Sequence, residues 1–267
     1  MTRSEGLLDR HCNWLDAANG LYIERTVHGS MEQTIEQLLW EGAGKFDVKL
    51  DEAMITALLQ YKRILLEWNE KINLTAIEED RDFIIKHFVD SLSVMPFLKD
   101  GQSLIDVGTG AGFPGLPLKI ANPSLKIILL DSLEKRIGFL NTVITELQLT
   151  GINAVHSRAE DAGMVAEFRG KADVAVARAV ASLPVLLEYC LPLVKVGGMF
   201  IAMKAGSEEA DISGKALDIL GGRIEEIKDF ILPGSDMKRS IIAVRKLRQT
   251  PTKYPRKAGK PSKEPLI

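Results

Sequence analysis

Ser103-Leu104-Ile105-Asp106-Val107 reads as a short buried strand, and it runs without a break into Gly108-Thr109-Gly110-Ala111-Gly112-Phe113-Pro114-Gly115. Four glycines in eight residues, between a strand and a helical pattern, narrow the possible folds more than any other feature of the chain. Glycine is needed where φ must be positive or where a ligand presses on the backbone. A strand-to-helix loop of this kind sits at the carboxyl edge of an open α/β sheet, the edge at which such folds bind ligands.

The remaining pattern agrees. Strands are expected at 126–130, ending at Asp131, and at 152–156, 172–177 and 199–203. Helical stretches separate them; one over 134–149 is marked by Ile137, Leu140, Ile144 and Leu147. Such alternation implies a parallel sheet covered on both faces. Two last strands, 223–232 and 240–246, are separated only by Pro233-Gly234-Ser235-Asp236 and a short polar run, which predicts a hairpin. The expected fold is therefore α/β and Rossmann-like over 100–247, a mostly parallel seven-stranded sheet with an antiparallel terminal hairpin. Ahead of it, Met54, Leu58, Tyr61, Leu65, Trp68 and Ile72 line one face of a helix over 51–72. A second helix is expected over 80–98, and a short one over 32–40 ended by Gly42 and Gly44. Together these make an N-terminal helical cap, residues 31–99. Residues 1–30 have no periodicity and read either as a mis-assigned start or as a disordered leader.

Composition bounds the setting. Cys12 and Cys190 are the two cysteines, neither sits in a CxxC, and the four histidines are scattered, so neither a disulfide framework nor a metal site is indicated. No apolar run approaches the ~20 residues of a membrane helix, and the first residues lack the apolar core of a signal peptide. A cytoplasmic protein without a membrane partner is expected. Eight of the 34 basic residues fall between Arg245 and Lys263 with no acid among them, leaving 26 against 36 acids elsewhere. An acidic body with a basic strip predicts a polyanionic partner touched at one place. Residues 248–267 read as a basic extended tail.

The class of ligand has two readings. Gly110-Ala111-Gly112-Phe113-Pro114-Gly115 fits G-x-G-x-x-G, and Asp131 follows by about 20 residues, as in a nicotinamide dinucleotide (NAD) oxidoreductase. However, Gly108-Thr109-Gly110-Ala111-Gly112 is a G-x-G-x-G register that starts directly after the strand, and Pro114 lies where a pyrophosphate-binding helix needs a free N–H. A second acid in Ala159-Glu160-Asp161, at the next carboxyl end, suits a cationic, adenine-bearing cofactor better than a pyrophosphate, which it would repel.

Further motifs carry a resemblance. They are Leu65-Leu66-Glu67-Trp68-Asn69 through Asn73-Leu74-Thr75, His87-Phe88-Val89-Asp90-Ser91-Leu92, the glycine loop, Ser157-Arg158-Ala159-Glu160, Ala177-Arg178-Ala179 and Lys253-Tyr254-Pro255-Arg256-Lys257-Ala258-Gly259. In this order, from about Met31 to the C-terminus, the chain resembles the glucose-inhibited division protein B family. These are bacterial enzymes that use S-adenosyl-L-methionine to methylate N7 of guanine 527 in 16S rRNA.

The resemblance implies a class I methyltransferase, a monomer, with 16S rRNA or the small ribosomal subunit as partner and no DNA. It implies cofactor contacts from Gly108, Gly110, Gly112, Phe113, Asp131, Ala159, Glu160 and Arg178. Phe113 would cover an apolar face, Asp131 would hold the ribose hydroxyls, and Ala159-Glu160 would flank the adenine. A helix cap is the plain structural role for Asp131. Substrate contacts would come from Arg178, Lys204, Lys253, Tyr254, Arg256 and Lys257, with Tyr254 stacking on a base and the cations on phosphates. Deleting the chain after Arg248 is then expected to weaken RNA binding and spare the cofactor. His87 and Asp90, three apart on a helix, could pair. No catalytic side chain is expected, because guanine N7 carries a lone pair and no proton. A catalytically silent RNA-binding factor of the same fold is the other reading.

Overall fold

In the computed structural model, which describes residues 34–267, β1 (Ser103–Val107) lies near the middle of a seven-stranded sheet. After α5 (Gly115–Ala121) the chain adds β2 (Lys126–Asp131), α6 (Glu134–Glu146) and β3 (Ile152–His156) on one side of it. It then crosses to the other side with α7 (Ala159–Ala162), β4 (Ala172–Arg178), α8 (Leu183–Cys190) and β5 (Val194–Lys204). The strand order is β3-β2-β1-β4-β5-β7-β6, and β1 to β5 pair in parallel. The final β7 enters antiparallel between β5 and β6, as the expected hairpin requires. α9 (Gly214–Leu220) precedes β6 (Gly222–Ile231) and β7 (Lys238–Lys246). The reversal of strand order between β1 and β4 opens a crevice at their carboxyl ends.

Side chains alternate between two cores, as the period of a strand demands. Leu104, Val174, Val176 and Ile201 face one, and Ile105, Ala175, Ala177 and Phe200 face the other. The helical cap belongs to the first core. Its members are α1 (Ile35–Gly44), α2 (Glu52–Ile72) and a third helical stretch, which bury Leu39, Leu58, Leu65, Phe83 and Phe88 against that side of the sheet. Thr34 and Gln37 cap α1 reciprocally, and Asp51 caps α2 through the Met54 N–H.

The cap departs from expectation twice. α1 runs through Gly42 to Gly44 instead of breaking there, and Gly42 serves packing: a Cβ at that position would lie 2.6 Å from Val89 Cγ2. The glycine lets two helices touch. The stretch from residue 80 is also not one regular helix. α3 (Asp80–Phe83) passes into a π-helical segment (Ile84–Val89) and then α4 (Asp90–Leu92), with a 3-10 turn at Met95–Phe97. Such bulges gather at functional sites, and this one carries His87 toward the sheet edge.

Candidate functional site

The glycine loop is built from beneath. Gly108, Gly110 and Gly112 have φ of 71°, 62° and 98°, a region only glycine enters freely. The N–H groups of Gly108 and Thr109 both donate to Leu130 O at the end of β2, at 2.8 and 3.1 Å. Buried Asp106 accepts from the Thr109 hydroxyl at 2.6 Å and from the Gly115 N–H at 2.9 Å, both through Oδ2. Its Oδ1 has no protein partner, and burial lifts the carboxyl to about 6. From the cap, the Tyr61 hydroxyl donates to Ala111 O.

A cleft of about 260 Å³ opens beside Gly108 and carries Asp131, Ala159 and Glu160 on its wall. Asp131 is 3% exposed; Oδ2 accepts from the Gly110 N–H and Oδ1 from the Leu133 N–H, each at 2.9 Å, and Arg136 pairs with it at 3.3 Å. Leu133 is itself the N-cap of α6, so Asp131 braces the entry to that helix rather than capping its first turn. A carboxylate has about four acceptor sites, which leaves one, on Oδ1, for a ligand hydroxyl. Glu160, in the first turn of α7, accepts the Gly259 N–H at 2.9 Å.

These residues suit adenosine joined to a cationic sulfonium. A pyrophosphate would need free N–H groups at the start of α5. Pro114 has none, the Gly115 N–H is spent on Asp106, and Leu116 N–H bonds Gly112 O at 2.8 Å. The dinucleotide reading therefore lacks its anion site.

Of the expected cofactor residues, the cleft gathers Gly108, Asp131, Ala159 and Glu160, with Gly110 joined through Asp131. Gly112, Phe113 and Arg178 lie instead at the seam with the cap. A Cβ at Gly112 would lie 2.9 Å from Tyr61 Oη. Phe113 is 5% exposed and does not cover a face of the cleft, because its ring is packed into an aromatic cluster. It stacks on His87 at 4.5 Å with 11° between the rings, and the Arg178 guanidinium lies 4.9 Å from its centroid.

His87 and Asp90 do not pair with each other; both turn to Arg178. Asp90 accepts from Arg178 Nη1 at 3.1 Å and from Arg239 Nε at 2.9 Å. Arg178 also donates to Lys86 O at 3.1 Å. His87 Nδ1 is 3.5 Å from Arg178, and Nε2 is 2.8 Å from Thr75 Oγ1. Burial first, and the Arg178 charge second, lower its pKa to about 3, so the ring is neutral. Lys204, expected to reach substrate, pairs with Glu209 at 2.8 Å and donates to Ala181 O at 2.9 Å, tying down the loop after β4.

The largest correction concerns residues 248–267. They form a strap lying between α7 and α8, ending in α10 (Lys260–Lys263) and a buried Leu266. Arg169 rivets it: Nη1 donates to Gly163 O at 2.6 Å and Tyr254 O at 2.8 Å, and Nη2 to Thr250 O at 2.8 Å and Pro251 O at 3.2 Å. Arg256 forks onto Glu188, with Nη2 at 2.6 Å and Nε at 2.9 Å. Tyr254 is 8% exposed and offers no free face to a base, and Arg256 is committed to Glu188. Lys253 and Lys257 are exposed. Gly259 and Ser262 line the same cleft as Asp131 and Glu160, so the tail cannot be deleted without altering it.

Sequence reasoning missed Arg169, Glu188, Tyr189, Arg239, Gly259 and Ser262. One signal was present. Glu188 is a single acid in the apolar run Leu183-Pro184-Val185-Leu186-Leu187-Glu188-Tyr189-Cys190. A buried carboxylate there requires a cation from elsewhere in the chain.

The fold and cleft together define a Rossmann-like protein of the class I methyltransferase type. The family model described as rRNA small subunit methyltransferase G, GidB, matches residues 54–230. "Ribosomal RNA small subunit methyltransferase G" of Acetivibrio thermocellus is 61% identical over 237 residues, 88% of this chain and 98% of that protein. The protein of the same name from Alkaliphilus oremlandii is 53% identical over 236 residues, 87% and 99% of the two chains. Among solved structures, the [4+2]-cyclase SpnF is similar with a TM-score of 0.51 at 15% identity, covering 73% of this chain and 96% of that one. That likeness concerns the fold alone, and a cyclase on this scaffold illustrates that fold does not fix function. The chain belongs to the GidB family, rRNA small subunit methyltransferase G. Among the described residues no helix is long and apolar enough to cross a membrane, and no group of three metal-ligating side chains occurs.

Proposed function

We propose that this chain transfers the methyl group of S-adenosyl-L-methionine to N7 of guanine 527 in 16S rRNA, acting as a monomer in the cytoplasm. The observation that carries the reading is the cleft at the carboxyl edge, where Gly108 admits a ligand close to the backbone and two carboxylates replace an anion site. The names of the relatives support the rRNA substrate.

When bound, the cofactor supplies an already activated methyl group. The protein's part is to bind and align. Asp131, held by the N–H groups of Gly110 and Leu133 and by Arg136, offers its remaining acceptor site to a ribose hydroxyl. Glu160 and the backbone at Ala159 face the adenine edge. Arg178 stands at the end of β4 beside Phe113 and is fixed by Asp90, so its guanidinium is preset to meet the target guanine. N7 needs no proton removed, and neutral His87 is not asked to remove one. The base must be turned out of its stack to reach this edge, which favours a loop of the RNA.

The test is methyl transfer from labelled S-adenosylmethionine to undermodified 16S rRNA and to its small subunit, mapped by chemical cleavage at 7-methylguanine. A single stop at guanine 527 is expected. Binding of S-adenosylhomocysteine with no transfer to either substrate would reopen the target. Binding of NADH in place of S-adenosylhomocysteine would overturn the cofactor.

A further inference from the structure

The C-terminal strap makes more contacts with the cofactor wall than a surface tail needs. It touches the element that carries Glu160 at three points. The Gly259 N–H donates to Glu160 Oε1 at 2.9 Å. Arg169 joins Gly163 O, at the end of α7, to Tyr254 O within the strap. Pro255 lies flat against Gly163, where an added Cβ would come within 2.7 Å of Pro255 Cγ. A fourth contact closes the wall opposite, between the Tyr189 hydroxyl and Ser262 Oγ at 2.9 Å. Glu188, 1% exposed, anchors Arg256 between them.

We propose that the C-terminal strap is a working wall of the S-adenosylmethionine site, with the Gly259 backbone and Arg169 as positioning groups that set Glu160 for the adenine. This rests on the cofactor assigned under the proposed function. An unheld glutamate side chain samples several rotamers, and fixing it costs free energy that binding must supply. Here the Gly259 N–H fixes one oxygen before the ligand arrives. The oxygen so placed is an acceptor, which suits an amine donor on the base edge. Arg169 acts at one remove. Its four acceptors are all main-chain carbonyls, so it fixes the path of the strap without neutralising an acid.

Gly163 supplies the cleanest probe. Its φ of −65° and ψ of −14° admit alanine without backbone strain, so Gly163→Ala wedges the strap away from α7, the added Cβ lying nearest to Pro255 and 3.3 Å from Ala159 O, and replaces no side chain of the cleft wall. Arg169→Lys keeps the charge and loses the fork. Titration calorimetry of the full chain with S-adenosylhomocysteine is the measurement, beside thermal melting. For each variant, affinity about tenfold weaker is expected, the size of one well-made hydrogen bond to a charged group. Folded variants that bind like the wild type, whatever their melting temperatures, would overturn the inference, since a merely structural role lowers stability and spares affinity.

The wild type supplies an independent readout. Hydrogen exchange over 249–267 is expected to slow when S-adenosylhomocysteine is added, and unchanged exchange counts against the strap even if a variant fails to fold. A wild type that binds no S-adenosylhomocysteine defeats the cofactor assignment itself, which is a different result.

Discussion

The carboxyl edge of the sheet is covered at two places, and the two covers are built in opposite ways. At the cap seam, charge is held by charge: Asp90 takes both Arg178 and Arg239, while His87 is held neutral against Phe113. In the cleft that the strap lines, Glu160 is held by a main-chain N–H of the strap, and Asp131 by two N–H groups from elsewhere and one arginine at 3.3 Å. A buried charge whose partners are full charges is a brace, costly to break. A carboxylate positioned chiefly by N–H groups keeps acceptor capacity and is available to a ligand. The seam should therefore govern stability, and the strap affinity.

The sharpest way to break this comparison is Asp90→Ala. It leaves two guanidinium groups facing each other with their shared acid gone, a change that costs about 3–5 kcal/mol for a buried pair. Urea unfolding should record a loss of that size, with the folded protein binding S-adenosylhomocysteine nearly as before. Intact stability with lost binding would place the seam inside the cofactor site.

The two covers also differ in how far the sequence announced them. The glycine loop, Asp131 and Glu160 were legible because a strand end, a run of glycines and a following acid are local signals. The mostly parallel sheet followed from alternation, and its antiparallel edge from the closing hairpin. Phe113 was misplaced because its neighbours Tyr61, Phe83, His87 and Phe88 come from the cap, and no local rule says which way a loop aromatic turns. The π segment escaped because Ile84, Ile85, Phe88 and Val89 satisfy an α-helical stripe equally well. The strap was read by its charge alone. Tyr254, Pro261 and Leu266 bury apolar surface without any periodicity, and Glu188, the residue that demands Arg256, lies 68 positions away.

A smaller effect tests the seam through pH. Burial and the neighbouring Arg178 lower His87 from 6.5 to about 3. Below pH 6.5 the unfolded chain takes up a proton there that the native chain refuses, so the native state loses stability as pH falls. The slope is at most about 1.4 kcal/mol per unit. Asp106 works against it. Burial raises that carboxyl from 3.8 to about 6, so the native chain holds its proton between those values and gains stability as pH falls from about 6 to 3.8. Subtracting the unfolding free energy of His87→Gln from that of the wild type removes the Asp106 contribution. The difference should shrink between pH 6.5 and 5 by up to about 2 kcal/mol. A difference that stays constant over that range would mean the ring takes up its proton in the native state as readily as in the unfolded chain, and the seam would not be the buried brace described.

The smallest expected effect separates the strap's two faces. Lys253 and Lys257 point to solvent, and Lys253 Nζ lies 5.4 Å from the Tyr254 ring centroid; neither holds the strap to α7 or α8. Replacing both with alanine should weaken rRNA binding several-fold and lower the slope of log affinity against log salt by about 1.5, since each phosphate contact releases roughly 0.7–0.9 of a counterion. Affinity for S-adenosylhomocysteine should not change, because the inward groups of the strap are Gly259, Ser262 and the Arg256 fork. If cofactor affinity falls along with RNA affinity, the outward lysines are themselves setting the wall, and the two faces act as one. If neither moves, the rRNA is not met through these two lysines.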